Sequence, residues 1–260
     1  MAETRSGASS RVAFITGASS GIGRATAALL AKQGDRVACV ARDRARLESL
    51  VSEIEGASGR AIAIPCDVTV EAQVEQAVAR CVSELGGLDV LIPAAGIIAS
   101  GSLEATPMEA FDHMMRMNVR SVVHTAKCAV PHLKKRPGCI VALSSTTGFR
   151  AFPGVFSYCV SKAAVEQAVR CLALELAPAG IRVNAIAPGV IVTELHRRGG
   201  MDEAAYAAFL ERGKATHPLG HVGQVADASE AIAYLASEKA GWITGAVLPV
   251  DGGRGITCLR

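Results

Sequence analysis

Short apolar runs rich in β-branched residues alternate with longer amphipathic stretches along this chain, and that alternation constrains the fold more than any other feature. Val12–Thr16, Arg36–Ala41, Ala61–Pro65, Leu88–Pro93, Cys139–Ser144, Ile181–Ile186 and Ala246–Val250 read as strands. Strands this apolar suit a parallel sheet covered on both faces. Helical periodicity fills the intervals: Ile22–Gln33, Arg44–Ile54, Val70–Leu85, a region broken near Pro107 that runs through Lys135, Ser157–Leu176 and Val225–Ala236. Gly34 closes the first helix, and Pro178 with Gly180 stops the long one. Asp43 reads as a helix cap. Strands joined by helical crossovers give an α/β fold, a Rossmann-like doubly wound parallel sheet of about seven strands. No linker or repeat interrupts the pattern, so residues 11–260 read as a single domain behind a polar, flexible tail at 1–10.

Composition agrees with a core built from small aliphatics: half the residues are hydrophobic but only 4% are aromatic. A net charge of +3 argues against nucleic acid or an anionic membrane as partner. Eight cysteines are scattered singly, with no CxxC and no spacing that suits zinc, so no metal is expected. Their placement inside apolar runs suits the cytoplasm or another reducing compartment. No apolar stretch of roughly 18 residues offers a membrane span, and the polar start does not read as a signal peptide.

"FITGASSGIGRA" joins the first strand to the first helix, with Gly17, Gly21 and Gly23 at the turn. Missing side chains let backbone N–H groups approach a pyrophosphate, and the helix N-terminus favours its charge. The same letters fit G-x-S-x-G, the nucleophile elbow of hydrolases. That elbow normally follows several strands, and its acid and histidine would have to be chosen freely among loops bearing His196, His217 and His221.

The spacing T-G-x-x-x-G-x-G, from Thr16 to Gly23, resembles the short-chain dehydrogenase/reductase family, and the resemblance runs from about Arg11 to Gly253. It implies a nicotinamide cofactor held by Thr16, Gly17, Ser19, Ser20, Gly21, Ile22 and Gly23. At the end of the second strand Ala41 stands where a carboxylate would select NAD, and Arg42 follows. A guanidinium beside the ribose can bind a 2′-phosphate bidentately, so NADP(H) is favoured over NAD(H). Ser20 stands where NADP-preferring members often carry a second basic residue. Asp67, with Val68, matches the adenine-side position, and Ala94, Ala95 and Gly96 match the small residues over which the cofactor lies. Pro93 departs from the family's asparagine and lacks a ladder N–H.

Ser145, Tyr158 and Lys162 have the family's catalytic spacing of thirteen and then four residues, and Asn118 matches the fourth member of its tetrad. Reducing a ketone needs a hydride on carbon and a proton on oxygen. Four helical residues rise about 6 Å and return to the same face, so Lys162 can reach Tyr158. An adjacent ammonium is expected to lower the phenol's pKa, by roughly 1–3 units. Ser145 would donate to the substrate oxygen; Ser144 is an equal hydroxyl by chemistry, and only spacing selects between them. Asn118 would hold a water that relays protons through Lys162. Of the remaining cofactor-side positions, Pro188 and Gly189 turn the chain after the sixth strand, and the backbone at Ile191 and the hydroxyl of Thr193 match family positions that hold the carboxamide, which in this family implies pro-S hydride transfer.

The resemblance implies an enzyme of CH–OH chemistry, nearest in look to 3-oxoacyl-carrier reductases. Its partner would be a small carbonyl or alcohol substrate, with a carrier- or coenzyme A-linked one suggested by Arg197, Arg198 and Lys214. A substrate lid is expected over about 193–223, hinged at Gly199–Gly200. Phe149, Phe152 and Tyr206 are expected in the substrate pocket with Ser145, Tyr158 and Gly189; Phe156 lies beside them in sequence. Assembly as a homotetramer or homodimer is expected. The alternative is a catalytically weak regulatory or interaction protein that kept the nucleotide-binding fold; Pro93 is the one feature that hints at it.

Overall fold

The computed structural model describes residues 10–257. The expected tail at 1–10, apart from Ser10, and Cys258 lie outside the described residues. Seven strands form one parallel sheet: β1 (Val12–Thr16), β2 (Arg36–Ala41), β3 (Arg60–Pro65), β4 (Val90–Pro93), β5 (Cys139–Leu143), β6 (Arg182–Pro188) and β7 (Val247–Val250). They lie in the order β3-β2-β1-β4-β5-β6-β7. Strand order reverses between β1 and β4, and the crevice beyond the carboxyl ends at such a point is where ligands bind in open α/β sheets.

Alternation along each strand sends side chains to opposite faces. Val12 and Phe14 join one core with residues of α3 (Glu71–Leu85), α5 (Ser121–Leu133) and α7 (Phe156–Leu176). Ala13 and Ile15 join the other with α1 (Gly21–Lys32), α2 (Arg44–Gly56) and α10 (Val225–Ala236). Each fully buried Phe, Ile or Leu contributes about 1.5–3 kcal/mol. These two cores hold the strand ends rigidly in place beneath the crevice. The Asp43 carboxylate accepts the Arg46 N–H and caps α2.

The helical region after β4 is more segmented than its periodicity suggests. After Pro107, α4 (Met108–Met115) leads into a π-helical turn, Arg116–Arg120, and then α5. That wider turn carries Asn118, which is 1% exposed; such turns recur at functional sites. A short helix, α6 (Thr146–Phe149), follows β5 and was not legible in the sequence. The region after β6 forms α8 (Leu195–Arg198) and α9 (Glu203–Thr216).

Pro93 pairs with Thr16 of β1 on one side. On its other side β4 pairs with β5 only through Val90–Cys139 and Leu91–Ile140, whereas β5 pairs with β6 at every one of its positions. A residue without an N–H cannot extend that ladder. Strands β4 and β5 therefore part at their carboxyl ends, beneath the crevice.

Candidate active site

The glycine turn is shaped by two close approaches. Gly17 has φ +68°, and a Cβ there would meet backbone of Ala94 and Ala95 at 2.8–2.9 Å. A Cβ on Gly23 would stand 2.5 Å from the Gly17 carbonyl oxygen. Side chains are thereby kept away from the start of α1, whose first N–H groups face the crevice. Ser20 caps that helix in extended conformation but makes no capping side-chain bond.

A cleft of about 670 Å³ runs from this turn across the sheet ends. Of the residues expected to hold a cofactor, Gly17, Ser19, Ser20, Gly21, Ile22, Gly23, Arg42, Asp67, Val68, Ala94, Ala95, Gly96 and Thr193 line it. Thr16 does not. It is 2% exposed, and its hydroxyl accepts the Ala95 N–H at 3.1 Å, so it ties β1 to the loop after β4 from beneath the cleft. Burial raises the Asp67 pKa, but the Thr69 N–H and hydroxyl, with the charges of Arg42 and His113, outweigh it and hold the carboxyl below its usual range.

Sequence reasoning missed three residues of this cleft. Arg46, one turn into α2, pairs with Glu194 at 2.7 Å. Arg198 pairs with the same carboxylate and donates to the Ser20 hydroxyl at 3.0 Å. Arg46 lies in the first turn of α2, four residues after Arg42, a weak signal; nothing local in the sequence marks Glu194 and Arg198 as neighbours of Ser20.

A second cavity, of about 550 Å³, meets the cleft at Ala94, Gly96, Leu143 and Thr193. Ser145, Tyr158, Lys162, Pro188, Gly189, Ile191 and Phe152 line it. Two of the expected pocket residues do not. Phe149 is 45% exposed on α6 and faces Gly255, whose Cβ would lie 2.5 Å from its ring. Tyr206 is buried inside the 193–223 segment, its hydroxyl donating to the Thr193 carbonyl and accepting the Thr193 N–H. Phe156, next to Tyr158, stacks on Phe111 at 6.2 Å instead of entering the cavity.

The two adjacent serines take separate tasks. Ser144 donates to the buried Glu166 carboxylate at 2.8 Å. Ser145 caps α6, accepts the Thr147 N–H at 3.2 Å and hydrogen-bonds to the Tyr158 phenol. Asn118 accepts the Ile97 N–H at 2.8 Å and donates to the Ile97 carbonyl and to Ser161 at 2.9 and 3.0 Å. It thus clasps the loop after β4 to α7. A Cβ on Gly96 would lie 3.2 Å from its Oδ1 and 3.8 Å from the Lys162 ammonium.

The expected lowering of the Tyr158 pKa by Lys162 is overturned. Burial pushes the phenol up to about 12, only partly opposed by the Ser145 hydrogen bond. Burial also pulls Lys162 down to about 8. The geometry explains both: the ammonium lies 5.6 Å from the Tyr158 ring centroid and donates to the Leu143 carbonyl at 2.8 Å. Desolvation of each group outweighs their attraction.

Residues 193–223 form the roof. Their ends are tied by a bridge between Ile191 and Gly223, with Val192 and Gly223 N–H groups donating across it. Gly200 has φ +96°. The cations expected to draw a carrier are already paired, Arg197 with Glu203, Arg198 with Glu194 and Lys214 with Glu211. His217 uses both ring nitrogens on the backbone of Gly213 and Val190, so it is not free to serve as a base for Ser19. Among the described residues there is no His/Cys/Asp/Glu group able to hold a metal, and no helix long and apolar enough to cross a membrane.

A cleft at the strand-order reversal, opening into a cavity lined by a buried Tyr158 and Lys162 with Ser145, suits a nicotinamide-dependent oxidoreductase. Comparison with known proteins gives the family. A family model described as enoyl-(acyl carrier protein) reductase matches residues 17–254. The 3-oxoacyl-(acyl-carrier-protein) reductase FabG of Thermotoga maritima is 36% identical, across 94% of this chain and 97% of its own. The 2-(R)-hydroxypropyl-CoM dehydrogenase of Xanthobacter autotrophicus is 35% identical, across 94% and 98%. A short-chain type dehydrogenase/reductase from Mycobacterium marinum superposes with TM-score 0.89 at 35% identity, across 96% and 97%. The chain belongs to the short-chain dehydrogenase/reductase family and is an oxidoreductase acting on CH–OH groups.

Proposed function

We propose that this protein interconverts a ketone and a secondary alcohol with NADP(H), Tyr158 being the proton donor and acceptor. The observation that carries the reading is the Ser145–Tyr158–Lys162 group in the wall of the second cavity, which opens from the cleft. NADP(H) supplies or takes up the hydride. The chain's own residues do the rest. A phenol held protonated by burial is a proton donor at neutral pH. Ser145, hydrogen-bonded to it, holds the substrate oxygen as charge develops. Asn118 fixes the loop that carries Gly96 against α7 and keeps the two cavities in register. The 193–223 segment acts as the lid.

The residues fit a dinucleotide: glycines clear the start of α1, and the rim carries guanidinium groups. Arg42, Arg46 and Arg198 line the cleft with the Asp43, Asp67 and Glu194 carboxylates, and among the described residues Arg42 enters no ion pair while Arg46 and Arg198 share Glu194. The guanidinium of Arg42 at the end of β2 supports a 2′-phosphate, and Arg198 brings a second guanidinium to Ser20 from across the cleft. Relatives acting on 3-oxoacyl groups and on small alcohols support a carbonyl substrate of either kind.

Tyr158→Phe tests the reading. With NADPH oxidation followed on a ketone panel, turnover falls by about 10²-fold or more, as removal of a general acid requires, while NADPH binding persists. Turnover that survives in the variant contradicts the assignment. Cofactor binding without turnover on any ketone would instead favour the regulatory reading, for which Pro93 is the sole observation.

A further inference from the structure

We propose that the substrate carries an anionic group, a carboxylate or sulfonate at the end away from the reacting carbon, and that Arg254 binds it. This deepens the ketone–alcohol reading of the same cavity and rests on it.

Of the described residues lining that cavity, two are charged, Lys162 and Arg254, and none is acidic. Lys162 belongs to the reacting end, where it donates to Leu143 beside Tyr158. Arg254 is the surplus. It sits in the short 3-10 turn Arg254–Ile256 that follows β7, and its guanidinium lies 5.0 Å from the Phe152 ring centroid. Stacking of this kind uses the face of the guanidinium and leaves its N–H edge free to bind a planar oxyanion. Among the described residues that edge meets no carboxylate and donates no hydrogen bond.

The surroundings hold Arg254 there without satisfying it. Arg150 donates to the Arg254 carbonyl at 2.7 Å and to Thr257 at 3.3 Å, pinning the turn. The nearby Asp251 carboxylate is spent on the N–H groups of Gly253 and Gly255, at 3.0 and 2.7 Å. Arg150 stands over the same Phe152 ring at 5.5 Å, so two cations share one aromatic wall. Burial and the Arg150 charge both work against the charged form of Arg254, and Asp251 opposes them only weakly. His196, also in the cavity wall, has a buried Nδ1 with no partner. A cation kept in a largely apolar cavity whose wall also holds an unsatisfied polar atom is costly unless a bound anion completes it.

The test uses methyl-ketone carboxylates from 4-oxopentanoate to 8-oxononanoate, each beside its neutral methyl amide, and one matching ω-oxo sulfonate. Binding is measured by calorimetry on the NADP-loaded Tyr158→Phe protein, and turnover on the Tyr158 protein. At the best chain length the acid binds at least about 10-fold tighter than the amide, the scale of a charge-assisted hydrogen bond. Arg254→Gln removes that preference and leaves amide binding unchanged; Arg254→Lys restores part of it. The sulfonate arm shows which oxyanion is preferred. Equal binding of acid and amide, or an equal loss of both in Arg254→Gln, overturns the proposal. Selective acid binding without turnover of any ketone would keep the anion site and defeat the reaction assigned to the cavity, so the two failures are distinguishable.

Discussion

Removing the charge of Lys162 should stabilise the protein while destroying its activity. The lysine is 6% exposed, its ammonium's single hydrogen bond goes to the Leu143 carbonyl at 2.8 Å, and no described carboxylate pairs with it. Burial lowers its pKa from 10.5 to about 8. That difference corresponds to a cost on the order of 3 kcal/mol for holding the proton in the folded state at pH 7. Lys162→Met keeps the apolar stem, removes the cost, and forfeits a hydrogen bond worth about 1 kcal/mol. The variant is therefore expected to be more stable by about 2 kcal/mol at pH 7, raising Tm by about 4–8 °C in a chain of this size. The gap closes with pH and vanishes at about pH 10. Between about pH 8 and 10.5 the unfolded chain keeps a proton that the folded lysine has lost, so stability of the lysine protein climbs across that window while the methionine variant stays flat. Urea unfolding followed by circular dichroism at pH 7 and pH 10 measures both. A variant less stable at pH 7, or a gap that persists at pH 10, would refute the reasoning.

Two other outcomes are expected. Arg42→Ala should weaken NADPH binding by about 10-fold or more, the scale of a charge-assisted contact, and leave NADH nearly untouched. Nicotinamide fluorescence reads both, and equal losses sink the phosphate role. Trp242 and Ile256 are 101% and 89% exposed, and Leu248 on the edge strand β7 is 37% exposed; apolar surface of this kind suits assembly. Light scattering should show a dimer or tetramer at micromolar concentration, and a monomer would contradict this.

The fold was largely legible because its signals are local. The apolar runs at Val12–Thr16 and Arg36–Ala41 are strands with the expected bounds, since a fully buried parallel strand tolerates little else. Asp43 was legible as a cap because the geometry it satisfies spans three residues. Helix α6 was not, because four residues carry too little periodicity and its cap is the same Ser145 that faces Tyr158. The π-helical turn at Arg116–Arg120 was also hidden. Helical periodicity does not distinguish a turn that admits one extra residue, yet that turn sets where Asn118 points.

At the site, the sequence alone determined which residue types are available and in what order they meet the sheet ends. Spacing selected Ser145, Tyr158 and Lys162, and strand ends selected Gly17, Arg42 and Gly96. Tertiary structure decided what each faces, and so its energetics. It sent Ser144 to Glu166 and left Ser145 for the phenol. It put Thr16 beneath the cleft and Tyr206 inside the roof. It brought Arg198 to Ser20 across 178 residues of chain and Arg254 to Phe152 across about a hundred. It also reversed the expected effect on Tyr158. Sequence spacing places two groups within reach, but the balance between attraction and desolvation depends on how completely the rest of the chain excludes water from them.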